Sequence, residues 1–223
     1  MRAPPLTPPV AGPAAPELAF AVREAAPLTP AAVPTLRFGL RIEARGGEVI
    51  RSIMLQTQIQ IAARRRRHEP GEEERLFDLF GRRADWGTTL RTLPWLRHIR
   101  VVPQFTGAVD VGLEVACTYD FDVAAARYLQ ALDGGEVPLE LLFSGTVFYS
   151  TAAGLLQTAQ IPASAEADYR LPVAVWRETM DRHFPGVAWL RVGRATFERL
   201  HAYRSRHALP SWEATLDRLL GEE

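Results

Sequence analysis

Five histidines, one cysteine and a run of arginines are the first residues to weigh for chemistry in this 223-residue chain. The histidines are His68, His98, His183, His201 and His207, and none forms the HExxH pattern of a zinc hydrolase. Glu198 and His201 make one E-x-x-H pair, which puts both side chains on one helix face. A di-iron carboxylate site needs two such pairs and two further glutamates, on four helices. The plainer reading of the pair is an i,i+3 surface contact. His183 follows Asp181 near the end of a predicted helix, where a histidine favours the negative helix end; the alternative is an acid–base role. Tyr119-Asp120-Phe121-Asp122 can bring two carboxylates together at a loop, and such pairs can divide acid and base roles. Helix capping accounts for both aspartates more simply. Ser144-Gly145-Thr146 interrupts an apolar strand without the G-x-S-x-G elbow that exposes a nucleophile, so a bulge or close backbone approach is expected at Gly145. Cys117 lies in an inward-facing row and reads as a buried small hydrophobe, because a reactive thiolate needs a cationic, partly open setting.

Arg64-Arg65-Arg66-Arg67, followed by His68, is the most visible charge feature. One reading is a solvated strand end balanced by Glu69 and by Glu72, Glu73 and Glu74. The other is a patch for an acidic protein surface or a phosphate group. Tryptophan is enriched at the energetic centres of interfaces, although each one is more often core. Trp86 and Trp95, with Trp176, Trp189 and Trp212 further on, mark the 82–97 loop and the helical tail as places for partner contacts. The interaction candidates are therefore Arg64, Arg65, Arg66, Arg67, Trp86 and Trp95.

Composition narrows the chemistry. All 26 basic side chains are arginine, with no lysine and no asparagine in the chain. That excludes a lysine Schiff base, a pyridoxal-phosphate lysine and a Walker-type phosphate loop. A single cysteine excludes an internal disulfide, a cysteine-rich zinc site and a protein-held iron–sulfur cluster. The 26 acidic side chains balance the charge, which removes the usual argument for a nucleic-acid binder. No stretch is apolar enough for a signal peptide or a membrane span, so the cytoplasm is the expected compartment. No cofactor or metal is expected.

The elements that must position these residues follow from periodicity. Residues 1–16 are rich in proline and alanine and read as a flexible tail. Period-two alternation begins at Glu17. It is clearest over Thr35–Ala44, with Leu36, Phe38, Leu40 and Ile42 on one face. Gly46-Gly47 reads as a hairpin turn. Ile53, Leu55, Thr57, Ile59 and Ile61 then face inward, with Gln56, Gln58 and Gln60 outward. A short helix opened by Glu72, Glu73 and Glu74 runs to Phe80, with Gly81 as its C-cap. Strands resume near His98, then again from Val109 to Cys117. A helix capped by Asp120 or Asp122 follows, and Leu139–Tyr149 reads as a central strand. Pro172 suits the first position of a helix carrying Val173, Trp176 and Met180 on one face. Phe197, Leu200 and Tyr203 suggest a second helix. Ser211 caps a third, with Trp212, Leu216 and Leu219 inward. The fold class is α+β: an antiparallel β-sandwich, immunoglobulin-like in the loose sense, with helical insertions near 71–97 and 120–133. The sandwich covers 17–171 and a helical segment, 172–223, is expected to pack on it. The 120–132 helix also admits a crossover between parallel strands.

Thr118-Tyr119-Asp120-Phe121-Asp122, the Leu142-Phe143-Ser144-Gly145-Thr146-Val147-Phe148 strand and the segment Tyr169 to Arg177 resemble an uncharacterised family of high-GC bacteria, over about Glu17 to Leu220. The resemblance implies genes that sit beside those of nickel–iron hydrogenase subunits and maturation proteins, and it carries over no catalytic residue. The expected function is a non-enzymatic accessory or assembly protein acting by protein–protein contacts, with a hydrogenase component as the implied partner. A small-molecule or lipid-like ligand-binding module is the alternative, followed by a metal-independent enzyme using Asp120, Asp122 or His183.

Overall fold

The computed structural model describes residues 15–118, 123–187 and 192–221. Asp120, Asp122 and Trp189 lie outside the described residues, and with them the acid–base and capping expectations for the two aspartates. Three strands, β1 (Glu17–Pro27), β2 (Thr35–Arg45) and β6 (Ala108–Ala116), form one antiparallel sheet in the order β1-β2-β6. A six-stranded sheet has the order β4-β3-β7-β8, with β5 on β3 and β9 on β7. Its strands are β3 (Val49–Ile61), β4 (Leu93–Val102), β5 (Phe105–Thr106), β7 (Glu136–Ser150), β8 (Leu156–Gln160) and β9 (Glu166–Pro172). The class is α+β, with the two sheets packed as a sandwich and a helical segment at the C-terminus.

The core is built by the alternation the sequence shows. Leu36, Phe38, Leu40 and Ile42 of β2 are fully buried, as are Ile53, Leu55, Thr57, Ile59 and Ile61 of β3. Each buried aliphatic side chain of this size contributes about 1.5–3 kcal/mol relative to exposure. Rings join the sheets: Phe20 stacks on Phe143 at 4.3 Å, and Phe38 meets Tyr169 edge-on at 5.9 Å and Trp95 at 6.4 Å. β7 is central, paired with β3, β8 and β9.

Several expectations need correction. Gly46-Gly47 does not close a hairpin, because β2 and β3 belong to different sheets. The two glycines, at φ 119° and 81°, turn the chain from one sheet to the other. Every described strand pairing is antiparallel, so the mixed sheet is not formed. Helix α4 (Ala124–Ala131), with Val123 at its cap position, instead links β6 of one sheet to β7 of the other. The short helix is two: α1 (Pro70–Arg75) starts before the glutamates, and α2 (Phe77–Phe80) follows a break at Leu76. After α3 (Trp86–Thr89), β4 begins at Leu93, so Trp95 is a strand residue and not part of a loop. Pro172 ends β9 and is the N-cap of α5 (Val173–Asp181) rather than its first residue.

The chain divides into two compact units, Met1–Val187 and Ala188–Glu223. The second holds α6 (Arg194–Arg206) and α7 (Trp212–Leu220). The Ser211 side chain caps α7 by accepting from the Ala214 N–H at 3.0 Å. Leu216 does not face inward; it is exposed, and Thr215 is the buried residue of α7.

Candidate functional site, an arginine-lined cavity

Strand β3 ends at Ile61, where the Ala62 N–H donates to the Pro138 carbonyl at 2.9 Å. A single 3-10 turn, Ala63–Arg65, follows at this end of the strand, and Arg66 is extended. The four arginines therefore fan out from one corner instead of alternating along a strand, and each meets different company.

Arg65 lies over the sheet and donates to Asp168 through both terminal nitrogens, at 2.7 and 2.8 Å, and to Glu140 at 3.3 Å. Arg66 is turned inward and saturated. Its Nε donates to the Glu136 carbonyl, Nη1 to the Arg67 carbonyl and Glu72, and Nη2 to Glu72 and the Gly134 carbonyl. A guanidinium has five N–H donors, and all five are used. Glu72 is equally complete: besides the two Arg66 bonds of 2.6 and 2.8 Å, it accepts from the Glu69 and Asp133 backbone N–H groups. The Glu72 bond to Glu69 is the reach-back half of a capping box on α1. Burial alone would raise the Glu72 carboxyl, but Arg66 and the two N–H groups outweigh it and hold it at about 2.

Arg64 meets carbonyls only, donating from Nε to Leu90 and from Nη2 to Gly87. The Arg67 guanidinium has no hydrogen-bond or ion-pair partner among the described residues, although the Arg67 carbonyl accepts from Arg66. The acidic run after the arginines thus neutralises Arg66 and leaves Arg64 and Arg67 uncompensated. Arg83 pairs with Glu73 at 2.7 Å and lies 4.8 Å from the Trp86 ring centroid. Trp86 is buried, donates to the Gly81 carbonyl at 3.1 Å, and packs edge-on against Phe80 and His68. His68 Nε2 is 2.9 Å from the hydroxyl of fully buried Tyr128 on α4. Burial, helped by the charge of Arg66, pushes His68 down to about 4, so its ring is neutral near pH 7. Together Arg64, Arg66, Arg67, His68, Arg83 and Trp86 line an open cavity of about 520 Å³.

Of the sequence candidates, the structure thus brings Arg64, Arg66, Arg67 and Trp86 together. Arg65 is turned to the sheet, and Trp95 packs on Phe38 across the sandwich. Sequence reading missed Arg83, His68 and Tyr128 as members and Glu72 as the partner of Arg66. The E-x-x-E spacing of Glu69 and Glu72 was a signal for the last, and Arg83 three residues before Trp86 was a weaker one. Nothing local joins His68 to Tyr128, sixty positions on.

The other described candidates are not among the residues lining this cavity. Cys117 is buried, and burial raises its thiol to about 12, far from a thiolate. His183 points both ring nitrogens at carbonyls, of Thr179 at 3.2 Å and Ala31 at 3.1 Å. His201 packs against Phe197 and Trp212. Among the described residues, no group of three or more histidine, cysteine, aspartate or glutamate side chains is placed to hold a metal ion. No described helix is long and apolar enough to cross a membrane.

Among curated proteins, none matches the chain. It is similar to a crystal structure described as ApaA from Bordetella pertussis, at 10% identity and a TM-score of 0.26, over 70% of this chain and 93% of that one. It is also similar to β-glucosidase 3B from Thermotoga neapolitana in complex with α-D-glucose, at 13% identity and a TM-score of 0.25, over 70% of this chain and 17% of the glucosidase. Scores this low carry no argument about fold or activity. The family model matches residues 15–223, nearly the whole chain, so the chain belongs to DUF6084, a family of unknown function.

Proposed function

We propose that the protein is a non-enzymatic accessory protein that acts through protein–protein contacts, with the arginine elbow, the corner formed by Arg64–Arg67, as its contact surface. The observation that carries this reading is the built base under the exposed cations. Arg66 and Glu72 saturate each other in a buried ion pair, and Arg64 is tied down by two carbonyls. Arg64 and Arg66, held this way, lose little side-chain freedom on binding, whereas ordering a free side chain costs about 0.5–1.5 kcal/mol. The resemblance to a family encoded near nickel–iron hydrogenase genes makes a hydrogenase component the partner to look for. An unpaired cysteine is compatible with action in the cytoplasm.

The test is gentle purification of the tagged protein from its native host, beside an Arg67→Glu variant. One protein recovered near equal amount with wild type, and depleted with the variant, is the expected result. Solitary recovery under low salt and cross-linking alike would end the accessory reading. A second reading, a small-molecule-binding module, is favoured by the size of the cavity, which falls within the roughly 300–1,000 Å³ of ligand sites. Native mass spectrometry that finds no co-purifying mass would count against it.

A further inference from the structure

We infer that the elbow cavity is an oxyanion site, in which Arg67 and Arg64 take a carboxylate or phosphate group. Four arginines line it, and among its described lining residues there is no carboxylate. Two of the four are internally neutralised: Arg66 by Glu72 and Arg83 by Glu73. Arg64 spends part of its guanidinium on two carbonyls, which accept its N–H groups without cancelling its charge. Its remaining N–H groups and all of those on Arg67 are available for a ligand. Guanidinium groups present parallel N–H donors that match two oxygens of a carboxylate or phosphate. The neutral His68 and the buried Trp86 form an uncharged wall beside them. Arg83 covers the Trp86 ring, so the site recognises the charged group and not an aromatic ring of the ligand.

The inference rests on the elbow being the contact surface and names the chemistry it would read. The anionic group has two possible sources, the acidic side chains of a protein partner or a free phosphate compound. Titration calorimetry on the full chain at low ionic strength separates them, with a tetraglutamate peptide as one probe and inorganic pyrophosphate as the other. At least one probe should bind, and Arg67→Gln should weaken that binding tenfold or more. The Arg67 side chain has no partner to lose among the described residues, so the variant keeps its fold, and its thermal unfolding curve verifies this. Arg64→Gln provides a second reading of the same site. Tetraglutamate binding assigns the site to a protein carboxylate, and pyrophosphate binding assigns it to a phosphate; either supports the inference. Absence of binding by both probes, or an Arg67→Gln variant that binds as tightly as wild type, overturns it. The accessory reading fails separately, through solitary recovery from the host, even where a probe binds in vitro.

Discussion

Neighbouring arginines in this chain do unlike work, and the difference lies in what each guanidinium finds. Arg66 and Glu72 bury opposite charges with every donor and acceptor used. Removing one partner of such a pair leaves a buried charge, at a cost of about 3–5 kcal/mol. Glu72→Gln should therefore lower the stability read from urea unfolding by about that much, whereas Arg67→Gln should stay within about 0.5 kcal/mol of wild type. Thr57 is the reverse case. Its side chain is fully buried and its hydroxyl has no partner. Thr57→Val removes an unpaid desolvation cost of about 1–3 kcal/mol and should raise the unfolding midpoint or leave it unchanged.

Two residues of the site also set a pH response. His68 titrates at about 4 in the folded chain against an ordinary 6.5. As pH falls the unfolded chain takes this proton first, so stability is complete above about 6.5 and declines toward 4. Glu72 adds a second loss at lower pH: its carboxyl is held at about 2 against 4.5, so its contribution is present above 4.5 and fades toward 2. Urea midpoints measured from pH 7 to pH 4.5 should fall for wild type and fall less for His68→Gln. Equal slopes would assign the response to other histidines.

At the scale of elements, the long β3–β7 pairing depends on one glycine. Gly145 has φ 136°, and a Cβ placed there would sit 1.9 Å from the Met54 carbonyl oxygen. Backbone cannot yield as a flexible side chain can, so Gly145→Ala should cost about 4 kcal/mol or more and yield little soluble protein. The cap on α7 is a smaller lever. Ser211→Ala forfeits one N-cap bond, worth about 1 kcal/mol, and amide exchange should quicken at the start of that helix while β3 and β7 keep their protection.

For the whole molecule, the division at Val187 gives an expectation of its own. The first unit contains both sheets, the apolar core and every side chain of the elbow. A chain ending at Val187 should unfold in one cooperative transition and bind the anionic probe as the full chain does, because a unit with its own core needs no other support. A broad, non-cooperative melt would show that the core is incomplete without residues 188–223.

The sequence by itself determined the strands and their faces. Alternation over Leu36–Ile42 and Ile53–Ile61 leaves only one side that can be buried, and Gly145 inside an apolar run already marks a close backbone approach. It also identified the arginine run as the feature to examine. Local pattern could not say which strands share a sheet: Gly46-Gly47 looks alike whether it closes a hairpin or turns a corner between sheets. Nor could it sort the arginines. Glu72 lies six positions from Arg66, but Asp168 comes to Arg65 only through the β7–β9 pairing, and Tyr128 reaches His68 only because α4 bridges the two sheets. Charge compensation is decided by distance in space, and only the tertiary structure sets that distance.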